Sequence, residues 1–234
     1  MSCPDVLPRE HARILRYKTS KTLIAKYVGG AIEWDDKSLK IIRDAIRFAL
    51  RDGQKQRCYY CRRMIPVQRR NVGEAIEHFL DKSKPHYRRW GLNPLNLVIA
   101  CQPCNIVKST KDLGDAAVRS AQFLSPSSGN FSWPHPYFDR YGENIRLAPG
   151  PVYSAIIGAP RFDEAVKMIG DLKLSSIPNL DDRMQLAALE IQRLQAKLFR
   201  LTAPIPHAAS KRREMVRHEV KLRLDKFMFE VFGI

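Results

Sequence analysis

At 234 residues the chain is long enough to bury its own core, as one large domain or two smaller ones, without depending on a metal for its whole stability. Its 44% hydrophobic and 27% charged content is ordinary for a soluble globular protein, and no apolar run nears the roughly 20 residues that a membrane-spanning helix needs. Forty Lys+Arg against 24 Asp+Glu leave a formal net charge of +16, which attracts polyanions, nucleic acid being the commonest, although ribosome-associated and membrane-surface proteins share that balance.

The opening stretch MSCPDVLPREHARIL has mixed charge and two prolines where a secretory signal has an apolar segment, which points to the cytoplasm. Residues 1–53 read as a basic arm and a helix. The arm carries Arg9, Arg13, Arg16, Lys18, Lys21 and Lys26 with a break at Gly29-Gly30, and either contacts phosphates or is a solvated or docking extension. From Asp35 to Asp52, apolar residues at Leu39, Ile42, Ile46, Ala49 and Leu50 predict an amphipathic helix that Gly53 stops. Residues 54–123 hold most of the chemistry. There, Asn71 to Leu80 and Leu95 to Ala100 predict short strands, and a helix starts near Pro103 with Asn105, Lys108 and Lys111 on one face. Residues 124–160 read as a linker and docking segment, with SPSSGN and WPHP the clearest linker by composition.

In the same segment His135 and Asp139 are potential ligands at i and i+4, but Pro134 and Pro136 break any helix and favour packing. Residues 161–234 read as helical: Phe162 to Lys173; a stripe at Met184, Ala187, Ala188, Ile191, Leu194, Leu198 and Leu201 ended by Pro204 and Pro206; and Ala209 to Phe232 with Val216, Val220, Leu224, Phe227 and Val231 on one face. These helices pack on each other or on the first helix, or else offer a coiled-coil-like partner surface.

Five cysteines, four of them as Cys58/Cys61 and Cys101/Cys104, fit one metal site in a reducing compartment better than a disulfide framework, with Cys3 an inert leftover. Two CxxC knuckles predict a tetrahedral four-cysteine zinc site, because a two-residue spacer lets both thiolates of a pair reach one ion. Four ligands leave no open position, so this zinc is structural. Inside the loop it closes lie Glu77, His78 and Asn96, with Asn105 just after the last cysteine. A Glu carboxylate and an Asn carbonyl are hard oxygen donors suited to magnesium, and a neutral His is suited to take a proton from water. Ten basic residues surround them: Arg62, Arg63, Arg69, Arg70, Lys82, Lys84, Arg88, Arg89, Lys108 and Lys111. Tyr59, Tyr60, Tyr87 and Trp90 either stack on bases or, the favoured reading, fill a small core.

CYYC, IEHF, NLVIAC and CQPCNIVK, in that order over residues 58–111, resemble the HNH endonuclease family, the ββα-metal or His-Me finger fold, in its zinc-stapled form. The resemblance covers about a quarter of the chain and implies an α+β fold: a mostly helical chain around a central HNH core closed by the four-cysteine zinc site. It implies a metal-dependent endonuclease that nicks or cuts DNA ahead of RNA, with His78 as general base, Glu77 and Asn105 holding Mg²⁺ or Mn²⁺, and Asn96 bracing the loop that carries His78. Lys108 would touch a phosphate, or else be an ordinary surface lysine. The resemblance also implies a bacterial restriction or anti-phage defence setting, with a partner ATPase or sensor docking on the C-terminal helices. The chain departs from the pattern in having Glu77 where many members have Asp and Asp81 where many have Pro. A rival reading from another class is a non-catalytic zinc scaffold that binds nucleic acid.

Overall fold

The computed structural model describes residues 3–65, 73–148, 152–175, 178–202 and 210–232. Arg69, Arg70, the start of the strand expected from Asn71, Pro204, Pro206 and Ala209 lie outside them, as do the side chains of Met184, Ala187, Ala188, Phe227 and Val231. Among the described residues no helix is long and apolar enough to cross a membrane.

The N-terminal region folds as two helices, α1 (Ala12–Leu15) and α2 (Lys18–Val28), and docks on the rest through Leu7, Leu15 and Tyr27, all buried. The arm is thus a docked extension whose basic side chains line its outer surface. Gly30, at φ +80°, takes the left-handed turn that ends α2. The helix expected from Asp35 begins as a 3-10 turn, Lys37–Leu39, capped by the Asp36 side chain accepting from the Ser38 amide at 2.8 Å. Helix α3 (Lys40–Gly53) follows and buries Ile42, Ile46 and Leu50, spaced i, i+4, i+8, while Ile41 and Phe48 face solvent. Arg47 and Arg51 of α3 reach the Glu74 carboxylate, tying the helix to strand β1 (Glu74–His78).

β1 pairs antiparallel with β2 (Leu97–Cys101), with Glu77 opposite Val98 and His78 opposite Leu97. β2 runs directly into α4 (Gln102–Lys108), whose first turn takes Pro103. Strand, loop, strand and helix therefore follow in the order the sequence predicts, with the helix ending before Lys111. The β1–β2 connection carries two 3-10 turns, Pro85–Trp90 and Pro94–Asn96, each opened by its proline. Tyr59, Tyr60, Tyr87 and Trp90 are all buried, as the core reading expects.

Residues 124–136, linker-like in composition, pack tightly: Phe131, Trp133 and His135 are buried, and the Trp133 indole donates to Asp171 at 2.9 Å. Their Pro, Ser and Gly content specifies an irregular backbone, and the interleaved aromatics anchor it. A helix α5 (Ala116–Ser120) precedes this stretch, and α6 (Tyr141–Asn144) leads into a hairpin of β3 (Ile145–Ala148) and β4 (Val152–Ala155). Helix α7 (Phe162–Asp171) packs on β4 and buries Ala165 and Met168. All these elements belong to one unit, residues 2–148 with 152–175, so α7 lies with the core and not with the later helices.

The second unit is built on α8 (Pro178–Thr202) and α9 (Ser210–Phe232). Arg213 donates to the Arg200 carbonyl and Arg223 pairs with Glu190, contacts that fix the two helices as antiparallel. Leu194 and Val220, one from each of the two apolar stripes read from the sequence, are buried.

Candidate functional site

The Sγ atoms of Cys58, Cys61, Cys101 and Cys104 all lie within 4.8 Å of one another, and Cys61 and Cys101 are 3.8 Å apart. A tetrahedron with metal–sulfur bonds of about 2.3 Å has edges of about 3.8 Å, so the donor set fits a metal such as zinc. The first knuckle turns because Arg62 adopts φ +56° and returns its amide to the Cys58 carbonyl at 2.9 Å. The second forms where β2 ends, with Cys101 extended at the N-cap of α4 and Cys104 in its first turn. Among the described residues this is the one group of three or more Cys, His, Asp or Glu close enough to hold an ion, and Glu77 belongs to no such group.

Glu77 and His78 end β1 in regular register, so alternation directs them to different neighbours. The His78 ring, 5% exposed, packs edge-on to Trp34 with centroids 4.4 Å apart. Its Nε2 lies 2.9 Å from the Gly91 carbonyl. A carbonyl only accepts, so Nε2 carries the proton and Nδ1 holds the lone pair. Burial drives the His78 pKa well below the ordinary histidine value; the nearby Lys82 charge pushes the same way, and the Gly91 bond only partly opposes it. The ring is therefore neutral. Position 91 has to be glycine, since a Cβ there would meet the Tyr27 hydroxyl at 2.3 Å.

On the other side, Glu77 Oε1 is in ion-pair contact with Lys108 Nζ at 2.6 Å but has no well-directed hydrogen bond. Lys108 is 1% exposed and also donates to the His78 carbonyl at 2.9 Å. Burial raises the Glu77 pKa, and the Lys108 ammonium opposes that rise. Lys108 is thus neither a surface lysine nor presented to a phosphate in this arrangement. It is turned inward because α4 lies against β1, and its stem carries the ammonium to that buried carboxylate. Asn105 sits one turn before Lys108 on the same face of α4, half-buried, with no side-chain hydrogen bond among the described residues.

Asn96 is fully buried and laces the segment after His78: Oδ1 accepts from the Leu80 amide at 2.6 Å, and Nδ2 donates to the carbonyls of Leu80 and Trp90 at 3.0 and 3.1 Å. Asp81 closes the next turn by accepting from the Ser83 amide and hydroxyl. His135 and Asp139 act in packing: His135 stacks on Phe138 with centroids 3.9 Å apart, and Asp139 accepts from the His135 amide and pairs with Arg161.

The basic ring read from the sequence is largely structural. Arg62 lies over Tyr141 and donates to Pro4; Arg88 clamps Glu33 and the Tyr27 and Ile32 carbonyls; Arg89 donates to the Arg119 and Ala121 carbonyls. Lys111 pairs with Asp171. Lys82 and Lys84 have no partner among the described residues. Trp34, Gly91 and Gln54 shape the site without any sequence signal that marks them, since each acts through a contact 40 or more positions away or across a loop.

Compared with family models, curated proteins and solved structures, the chain matches none.

Proposed function

We propose that the chain is a metal-dependent endonuclease of the HNH type that hydrolyses phosphodiester bonds in DNA. One observation carries the reading: a buried, neutral His78 whose Nε2 proton is held by Gly91, leaving Nδ1 to accept a proton from water. Asn96 holds the chain that follows His78 and Trp34 walls its ring, so the base is positioned before substrate arrives. Glu77 and Asn105 are the residues that would hold Mg²⁺ or Mn²⁺. They fit in donor chemistry, as a buried carboxylate oxygen without a directed hydrogen bond and an unpaired amide on the facing helix. When bound, that cation offsets the charge developing on the phosphate and the departing oxygen. In its absence Lys108 balances Glu77. The four cysteines would hold zinc as a staple between the first knuckle and the start of α4.

The long helices leave Leu189, Phe199, Met215 and Leu222 exposed, which supports their role as the surface offered to a partner such as an ATPase or sensor in a defence system. The test is conversion of supercoiled plasmid with Mg²⁺, with Mn²⁺ and with EDTA, alongside His78→Ala. Metal-dependent nicking is expected, abolished in the variant while DNA binding and zinc content stay unchanged. A salt-dependent DNA shift with no conversion under either metal would instead support the zinc-containing scaffold, for which the Lys108–Glu77 ion pair is the favouring observation.

A further inference from the structure

A groove of about 710 Å³ opens between the segment after α2 and the turn after β1, lined by Glu33, Trp34, Asp35, Lys82, Ser83 and Arg88 among others. It adjoins the candidate base, because Trp34 forms its wall on one side and packs on the His78 ring at 4.4 Å on the other. Its volume lies in the range of small-ligand sites, roughly 300–1,000 Å³, and accommodates a nucleotide. Inside it the charges are unequal in availability. Arg88 and Glu33 neutralise each other through a two-pronged contact at 3.0 and 3.1 Å. Lys82 has no partner among the described residues, and it stands on the turn that Asn96 and Asp81 hold rigid, four positions after His78.

We infer that this groove seats the DNA strand beside the scissile bond, with Lys82 contacting a backbone phosphate and Trp34 forming the wall against the adjoining nucleotide. The inference rests on the nuclease reading and assigns its substrate path. A lysine without a counter-ion among the described residues, carried on a held turn in a groove beside the candidate base, suits a phosphodiester, since phosphate contacts set register while the bases remain unread. Asp35, an exposed carboxylate in the same groove, opposes the strand and gives the arrangement a built-in control of opposite sign.

The experiment is equilibrium binding of a 20-base-pair DNA duplex to the full chain without added Mg²⁺, so no cleavage intervenes, at several salt concentrations. Lys82→Gln is expected to reduce the slope of log affinity against log salt by about one, the signature of one lost phosphate contact. Lys84→Gln, which removes the same charge outside the groove, is expected to leave the slope unchanged, and Lys82→Arg to retain it. Asp35→Asn is expected to tighten binding. Equal effects of Lys82→Gln and Lys84→Gln, or no effect of either, would overturn the groove assignment whether or not the plasmid assay shows cleavage; a normal Lys82 effect with no cleavage would retain the groove and remove the nuclease reading.

Discussion

Lys108 and Glu77 form a buried ion pair, and the cost of breaking it differs from its net contribution. Removing one partner leaves a charge in a site with almost no water, which costs about 3–5 kcal/mol, whereas replacing both with apolar groups of similar volume is often close to neutral. Lys108→Met is therefore expected to destabilise the protein by about 3–5 kcal/mol in urea denaturation. Glu77→Leu combined with Lys108→Met should recover most of that loss. A single-variant cost below about 1 kcal/mol would mean that Lys108 reaches solvent and is the surface lysine that sequence alone allows. The distinction was not legible in the chain. A lysine three positions past Asn105 on a short helix reads identically whether that face meets water or β1, and only the seating of α4 decides it. His78, Glu77 and Asn105 were legible as candidates because their chemical types are unusual together; the tautomer that leaves the lone pair of His78 on Nδ1 was not, because it depends on the Gly91 carbonyl, 13 residues away.

The two-stranded sheet raises the question of what satisfies the outer edge of β2, since a buried strand edge cannot leave its backbone groups unpaired. Side chains do it. The Gln54 amide accepts from the Ile99 N–H at 2.7 Å and donates to the Ile99 and Arg57 carbonyls at 2.8 Å each, imitating a third strand at one residue. The Tyr59 amide adds a bond to the Ile99 carbonyl at 3.0 Å, and the Tyr137 hydroxyl caps Leu97 at 2.5 Å. Residues 97 and 99 thus face outward, and alternation leaves Val98 and Ala100 to exchange bonds with Glu77 and Ala75. Gln54→Leu keeps the volume but strands the Ile99 N–H, and is expected to cost about 1–3 kcal/mol. The Ile99 amide should also lose hydrogen-exchange protection out of proportion to that of α3. Unchanged protection would show that another group satisfies the edge. The strands themselves were readable from LNLVIA and its flanking turns, as was the helix opened by Pro103. Gln54 was not, because a glutamine just past a helix end carries no pattern. The stretch 124–136 was misleading for a related reason: proline and serine disfavour regular structure, but Trp133 and Phe131 bury themselves regardless.

At the scale of the whole molecule, charge and chemistry coincide in one unit. Residues 1–175 carry 29 Lys+Arg and 17 Asp+Glu, a net +12, leaving 11 and 7, a net +4, for residues 176–234. The four cysteines, Glu77, His78, Asn96 and Asn105 all lie in that first part, within the unit that holds the aromatic core. A protein of residues 1–175 is therefore expected to melt cooperatively, to bind one zinc per chain, and to retain most of the salt dependence of DNA binding, because the slope counts phosphates neutralised and three-quarters of the excess charge remains. Metal analysis, a thermal melt and the binding slope of fragment and full chain check the three parts separately. Loss of zinc or of the cooperative melt would show that the first unit needs the helical hairpin to fold. A folded, zinc-containing fragment with a collapsed slope would move the phosphate contacts to α8 and α9, whose basic residues would then be the DNA-binding surface and Lys82 at most a minor part of it.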